Sequence, residues 1–294
     1  MNTTRFQRQI LAFGENGQRK LAEQTVGIVG LGGLGCFVAQ SLVNLGVRSF
    51  VLIDEDRLSE TNRNRWVLGF PSDVGELKVD LVRRYILAVD DSAEVQALPV
   101  NLRTNVGLSA LLSCSAIFGC VDNDGARLVL SELAAAYEIP LIDSASEIIP
   151  PKGTDPIDFG GRVVVARPGD FCLSCARELD GEEAKAVLEP ASVKAAREAH
   201  GYGIGLDVET PGVVSLNGVI SNLAVTEFMV MVTEIREPAR KLSYRGMRGV
   251  VTASSDKGLE SCYTCRVLKG ARERADIFRY AIVVSAAEAM AAIN

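Results

Sequence analysis

Three features of the amino-acid sequence predict an α/β protein, a doubly wound and mainly parallel sheet with a C-terminal extension. An apolar run, Val26–Val29, breaks into glycines at Gly30, Gly32, Gly33 and Gly35 and resumes as an apolar helix. Strand-like and helix-like stretches then alternate as far as Ile142, and such alternation builds a parallel sheet with helices on its faces. Finally, four of the seven cysteines form two C-x-x-C pairs, Cys172 with Cys175 and Cys262 with Cys265, with 86 residues between the pairs.

Composition narrows the function. In 294 residues, 48% hydrophobic content is ample for a large core. The net charge of −6 arises from interspersed acids and bases, which argues against an electrostatic nucleic-acid binder and leaves a basic protein or peptide tail acceptable as a partner. Met1–Lys20 is polar and lacks the apolar centre of a signal peptide. Val213–Val232 is long enough to cross a bilayer, but Asn217, Asn222 and Glu227 within it favour a buried helix over a membrane span. A cytoplasmic location is therefore expected.

The elements follow in order. Residues 5–24 read as a short helix, a glycine turn and a second helix, an arm carrying Arg5 and Arg8 whose plain reading is a solvated appendage. Val26–Val29 reads as a strand, Leu34–Leu45 as a helix stopped by Gly46, and Ser49–Ile53 as a second strand. Glycines at such a strand-to-helix turn allow close approach of a ligand, and the helix start offers free N–H groups to phosphate. The unit is Rossmann-like, although a lone G-x-G-x-x-G does not separate NAD from ATP.

Asp54 ends the second strand, 24 residues after Gly30, where a carboxylate holds a ribose hydroxyl in dinucleotide folds; a simple turn residue is the alternative. A dense polar loop follows, with Asn62 and three arginines, Arg57, Arg63 and Arg65, before a helix Glu76–Val89 carrying Lys78. So many cations beside a phosphate site suit a triphosphate or pyrophosphate, while surface ion pairs would account for Arg57 and Arg63.

Alternation continues through strand Glu94–Pro99, helix Asn105–Leu112, strand Ala116–Val121, helix Asp124–Tyr137 and strand Ile139–Ile142. Asp122 lies at a strand end, where a carboxylate can hold Mg²⁺ against phosphate oxygens or cap the next helix. The Pro- and Gly-rich stretch Ile148–Gly161 is the clearest break. Beyond it are expected a strand Gly161–Arg167, a charged and partly helical mobile segment Arg177–His200, a long helix Val213–Thr233, strands Leu242–Tyr244 and Gly249–Thr252, and an apolar tail Phe278–Asn294.

Each C-x-x-C supplies two thiolates from one tight turn, so Cys172, Cys175, Cys262 and Cys265 read as one structural Zn²⁺ site of four sulfurs that clips the extension. Redox dithiols and ordinary core cysteines are the alternatives. Cys36, Cys114 and Cys120 sit in apolar runs as core residues, with Cys36 near a helix start where a thiol pKa can fall.

Taken together, these features resemble the ThiF/MoeB/HesA family, the prokaryotic relatives of the E1 ubiquitin-activating adenylation domain. The resemblance spans nearly the whole chain: Arg5–Ile10, Gly30–Gly35, Asp54-Glu55-Asp56 with Asn62 and Arg65, Gly75–Lys78, Val121-Asp122-Asn123, and both cysteine pairs. It implies an adenylyltransferase that uses ATP and Mg²⁺ to adenylate the C-terminal carboxylate of a small ubiquitin-like protein or peptide, releasing pyrophosphate. Under it, Gly30, Gly32, Gly33 and Gly35 floor the nucleotide site, and the position of Asp54 holds ribose. The positions of Asn62, Arg65 and Lys78 contact phosphates, and that of Asp122 contacts Mg²⁺. The position of Arg8 reaches into a partner's site, which implies a homodimer, and an E2-like or sulfur-transfer protein could act next.

A single domain over 1–294 follows from the resemblance, with an arm at 1–24, a nucleotide-binding half at 25–147 and a carrier-binding, zinc-containing half at 148–294. Three departures stand out. His200–Gly212 has no cysteine where thioester-forming relatives carry one, so no thioester is expected on this crossover loop. Trp66 stands where the family motif has glutamine, and Ile148–Gly160 looks like added sequence at the mouth of the site. An NAD-dependent oxidoreductase on the same fold and a non-catalytic carrier-binding scaffold are the competing readings.

Overall fold

The computed structural model describes residues 4–151, 156–189 and 211–282. One mixed sheet of eight strands runs through these residues in the order β3-β2-β1-β4-β5-β6-β7-β8. Strands β1 (Thr25–Val29), β2 (Ser49–Ile53), β3 (Glu94–Leu98), β4 (Ala116–Gly119) and the start of β5 (Leu141–Ile149) pair in parallel. Helices α2 (Gly35–Leu45), α3 (Lys78–Val89), α4 (Asn105–Leu111) and α5 (Asp124–Tyr137) make the crossovers. Strand order reverses between β1 and β4, so the loops leaving them diverge and open a crevice at their carboxyl ends.

Local chemistry explains the boundaries. Helix α1 (Gln7–Ala22) is two helical pieces joined at Gly14, whose φ of +75° interrupts the helix, as the arm's glycine turn implied. Helix α2 stops at Gly46, whose φ of +102° carries the left-handed turn while Gly46 and Val47 donate to the Leu42 carbonyl. Thr104 and Asn123 cap α4 and α5 by accepting the N–H groups of Gly107 and Ala126.

The extension departs from expectation at one point. Ile148–Gly161 is not a break in the fold but the end of a β-hairpin, in which β5 continues to Ile149 and β6 (Asp158–Ala166) returns antiparallel with Ile149 opposite Asp158. Prolines and glycines mark its loop, while Ser144, Ala145 and Ser146 carry too little apolar signal to announce the strand. Antiparallel β7 (Lys241–Arg245) and β8 (Val250–Ala253) complete the sheet. Helix α6 (Gly181–Leu188) is the described part of the charged segment. Residues 190–200 of that segment, His200 among them, and most of the apolar tail lie outside the described residues.

Helix α7 (Val214–Thr233) is long and apolar enough to cross a membrane, but Leu216, Ile220, Ala224 and Phe228 pack it into the core above β5 and β6, against α1 and α2. Its buried Glu227 takes two hydrogen bonds from Arg236, at 2.6 and 2.9 Å, and a third from the Ala239 N–H, so the carboxylate inside the helix is neutralised locally. Phe228 meets Phe118 of β4 edge-on, with ring centroids 5.5 Å apart. A second core beneath the sheet gathers α4, α5 and the cysteine turns.

Because both rings are fully buried, replacing Phe118 by Ala is expected to cost about 3–5 kcal/mol. Denaturant unfolding checks this, and a loss under about 1 kcal/mol would show that the contact is not part of a close-packed core.

Candidate nucleotide site and four-cysteine centre

The crevice at the β1/β4 reversal opens as a cavity of about 920 Å³, within the range of roughly 300–1,000 Å³ typical of small-molecule sites. Gly30, Gly32 and Gly33 form its floor. A Cβ at Gly30, whose φ is +84°, would lie 2.6 Å from the Cys120 carbonyl oxygen, so only glycine lets the loops after β1 and β4 touch. Space above Gly32 is open, as a ligand's close approach requires. Gly35 does not line the cavity; it starts α2 with its Cα against the Gly30 carbonyl.

Leu31 holds the loop by both of its backbone polar groups. Its N–H donates to Asp54 Oδ2 at 2.5 Å and its carbonyl accepts the Trp66 indole N–H at 2.6 Å. Asp54 Oδ1 accepts a further bond from the Asp56 N–H at 2.8 Å. Burial pushes the Asp54 carboxyl above the usual carboxylate range, against the opposing pull of Lys78 and these N–H donors. Trp66 is thus an internal brace on the glycine loop.

The predicted phosphate-binding side chains converge on this cavity. Lys78, the first residue of α3, is 5% exposed and its ammonium pairs with Asp56 at 2.7 Å. Arg65 donates to the Thr61 carbonyl at 2.8 Å and crosses the edge of Gly212. Asn62 ends a short 3₁₀ turn, Glu60–Asn62, on the same wall. Arg57 also lines the cavity and donates to the Gly75 carbonyl at 2.8 Å, whereas Arg63 pairs with Glu60, as the ion-pair reading held.

Asp122 projects from the opposite wall. It is exposed and pairs with no cation among the described residues, and its one hydrogen bond comes from Asn123 Nδ2 at 3.2 Å. The helix-capping role belongs to Asn123 instead, which leaves the Asp122 carboxylate able to meet a hard cation. Arg8 is not brought to the site: it is exposed on α1, away from the cavity of its own chain, without a hydrogen bond or ion pair among the described residues.

Sequence reasoning missed several walls. Asn101 and Arg103 follow β3 at its carboxyl end, where the strand-end rule could have found them. Arg103 donates to the Val187 and Tyr280 carbonyls, both at 3.0 Å, tying α6 and the C-terminal turn to the cavity rim. Ser146 and Asn217, joined by a 2.8 Å hydrogen bond across 71 residues, left no local signal.

Away from the cavity, the four predicted cysteines converge. Their sulfurs all lie within 4.8 Å of one another and every residue is buried. Cys172 is 3.7 Å from Cys175 and 3.5 Å from Cys262, and Cys175 is 3.7 Å from Cys265. Four sulfurs at about 2.3 Å from a tetrahedral Zn²⁺ would stand about 3.8 Å apart, so the cluster fits zinc closely. Hydrogen bonding, above all with Cys265, pulls the Cys172 thiol down to about 5, while burial raises Cys262 to about 11 and bonding to Cys172 raises Cys265 still further. The Cys172 thiolate is thus favoured at the expense of Cys262 and Cys265, and a dication removes that conflict.

The three remaining cysteines are inert by environment. Burial raises the Cys36 thiol to about 11, reversing the lowered pKa that its place near a helix start suggested. Cys114 is pushed up to about 12, and Cys120 is raised as well, both by burial.

A glycine-floored crevice ringed by cations and strand-end carboxylates, on a sheet extended past a four-cysteine cluster, defines the E1-like class of nucleotide-binding enzymes. The chain belongs to the ThiF family, which matches residues 6–254, and it is an adenylyltransferase of the ThiF/MoeB type. The NAD-dependent oxidoreductase is thereby set aside, and ATP is the nucleotide the class implies. The molybdopterin-synthase adenylyltransferase of Escherichia coli (strain K12) is 32% identical over 191 residues, 63% of this chain and 72% of that protein. The adenylyltransferase and sulfurtransferase MOCS3 of Aedes aegypti is 31% identical over 144 residues, 48% of this chain and 33% of that one. Among solved structures, E. coli MccB with ATP shares the fold at a TM-score of 0.70 and 18% identity, covering 90% of this chain and 75% of MccB. PaaA does so at 0.64 and 19%, covering 87% and 74%.

Protein purified without chelator is expected to carry about one zinc ion per chain, the stoichiometry of a four-thiolate site. Stripping the metal, or Cys262→Ser, should lower the unfolding midpoint. Elemental analysis finding no metal would refute the assignment.

Proposed function

We propose that this chain adenylates the C-terminal carboxylate of a small ubiquitin-like protein or peptide and releases pyrophosphate. The observation that carries the reading is the convergence of Asp54, Asn62, Arg65, Lys78 and Asp122 on one glycine-floored cavity. The E. coli relative's name ties it to molybdopterin synthase, and MccB has been solved with MccA; both support a protein or peptide carrier here.

In this reading the carrier carboxylate attacks the α-phosphorus of ATP, a new O–P bond forms, and the α–β bridging bond breaks as pyrophosphate leaves. No general base is needed, because the attacking group is already ionised. Catalysis is positioning and charge neutralisation. Gly30, Gly32, Gly33 and the start of α2 at Gly35 present backbone to the nucleotide, and Asp54 receives the ribose. Asn62, Arg65 and Lys78 take the phosphates, with Lys78 exchanging its Asp56 partner for a phosphate oxygen. Asp122 would hold Mg²⁺, which supplies charge neutralisation on the phosphates.

Arg8, free on the α1 surface, is assigned to the site of a second copy in a homodimer. The absence of cysteine from His200–Gly212 supports transfer without a thioester on that loop, with an E2-like or sulfur-transfer protein as the next partner. We assign residues 1–24 to the arm, 25–147 to nucleotide binding and 148–294 to carrier and zinc binding, all in one cytoplasmic domain.

Labelled pyrophosphate should exchange into ATP only when a carrier with a free C-terminus is present. Arg65→Ala and Asp122→Ala should each lower the exchange rate by about 10²- to 10³-fold. If exchange is absent with the small ubiquitin-like proteins and peptides encoded beside this chain, the proposal fails. If both variants work normally in cells while binding no nucleotide, the scaffold reading replaces it.

A further inference from the structure

A chain of buried charges runs beneath the Val121-Asp122-Asn123 turn. Asp143 of β5 is fully buried and paired with Arg162 of β6. Arg162 also donates to Glu178 at 2.6 Å, and Glu178 pairs with Lys241 of β7. On the other side of Asp143 stands Arg127 of α5, its Nε 3.8 Å from Asp143 Oδ2. The two terminal nitrogens of Arg127 reach Asp124 Oδ1 at 2.7 Å and the Val121 carbonyl at 2.9 Å. Arg127 Nε and Asp143 Oδ1 are buried without a hydrogen-bond partner among the described residues.

Stability is a poor reason for such a cluster, because apolar residues of similar volume generally serve the fold as well or better. Its effect is geometric. A guanidinium is a rigid planar fork, and here it joins the carbonyl just before Asp122 to the first carboxylate of α5. Asp122 is exposed and held only by the long bond from Asn123, so its direction is set by the backbone of the turn. The Val121 carbonyl is the handle on that backbone, and Arg127, which also lines the cavity wall, grips it from α5.

We propose that Arg127 is a positioning residue for Asp122: through the Val121 carbonyl it orients the carboxylate toward the divalent cation, and the buried Asp143–Arg162 pair keeps the guanidinium in place. The inference rests on the reading of Asp122 as the residue that holds Mg²⁺. A lysine at 127 keeps the charge opposite Asp124 and Asp143, but one ammonium cannot reproduce the planar fork.

The test measures pyrophosphate exchange against free Mg²⁺, ATP affinity by calorimetry in excess chelator, and thermal unfolding, for the wild type, Arg127→Lys and Asp122→Asn. Arg127→Lys should need about 10- to 100-fold more Mg²⁺ for half-maximal exchange, the usual effect of losing an outer-shell partner. Its metal-free ATP affinity should be unchanged. If it does not fold, Arg127→Gln, whose amide can still donate to Val121 but carries no charge, is put through the same measurements with an intermediate Mg²⁺ requirement expected. A normal Mg²⁺ requirement, or an equal loss of metal-free ATP affinity, overturns the positioning role. If Asp122→Asn raises the Mg²⁺ requirement and the Arg127 variants do not, this inference alone fails. If Asp122→Asn leaves it unchanged, the reading of Asp122 fails and takes the inference with it.

Discussion

The contact between the Gly30 turn and the Cys120 carbonyl is the constraint on which the site depends. Strands β1 and β4 are parallel neighbours whose following chains diverge, and divergence alone would leave a slot with no floor. Because residue 30 lacks a Cβ and tolerates a left-handed φ, the turn after β1 folds down onto the turn after β4. That places the start of α2 and the Asp122 turn on two sides of one cavity. Asp54 and Trp66 then secure the loop from opposite ends of a single residue, the N–H and the carbonyl of Leu31. Asp54 thus has a structural duty even before any ribose arrives, and its raised pKa reports the burial which that duty requires.

Charge is arranged around this floor by unequal burial. Lys78 is nearly enclosed, whereas its partner Asp56 keeps 64% of its side chain exposed. An enclosed ammonium without a counterion is costly, and a hydrated carboxylate without one is not. Asp56 is therefore the member of the pair that can turn away toward water when a phosphate oxygen takes its place. Arg65 contrasts with it: its Nη1 donates to a carbonyl and to a neighbouring amide oxygen, neutral partners that a charged phosphate can displace.

Much of this was legible because local chemistry and tertiary role coincide. Ser49–Ile53 and Asp124–Tyr137 match the sequence reading residue for residue, the first as an apolar run and the second between an Asn cap and a change of periodicity. The proposed site residues that line the cavity lie at strand ends, in a loop too cationic for an ordinary surface, or at the start of α3, so Asp54, Asn62, Arg65, Lys78 and Asp122 could be named from the sequence. The part of β5 beyond Ile142 did not, since Ser144 and Ser146 gain their places from neighbours on β6 and α7 rather than from propensity. Asn217 was hidden for a similar reason: its amide lies tight against Gly33 and accepts from Ser146, and neither relation has a sequence signature. Trp66 was visible only as a departure from a motif until its indole was seen to hold Leu31.

The extension shows where the four-cysteine cluster matters to the fold. β1, β2 and β4 are buried along almost their whole length between the crossover helices, and apolar burial suffices there. Beyond β6 the cover thins: all four residues of β8 are exposed, and the described chain after it, as far as residue 282, forms only short helical turns. Such segments bury too little apolar surface to offset the entropy of ordering them. The cysteine cluster joins the turn at Phe171–Cys175 to the four-residue helix at Tyr263–Arg266, and around it Phe171, Leu173 and Leu268 become buried. The extension is thus attached twice, by the nine-residue register of β5 with β6 and by four sulfurs. Between these attachments lie Glu178 and Lys241, the outer members of the buried ion chain. Their carboxylate and ammonium continue the ion chain of Asp143 and Arg162 into the extension, so the charges beneath the Asp122 turn are contiguous with it as well as with the nucleotide half.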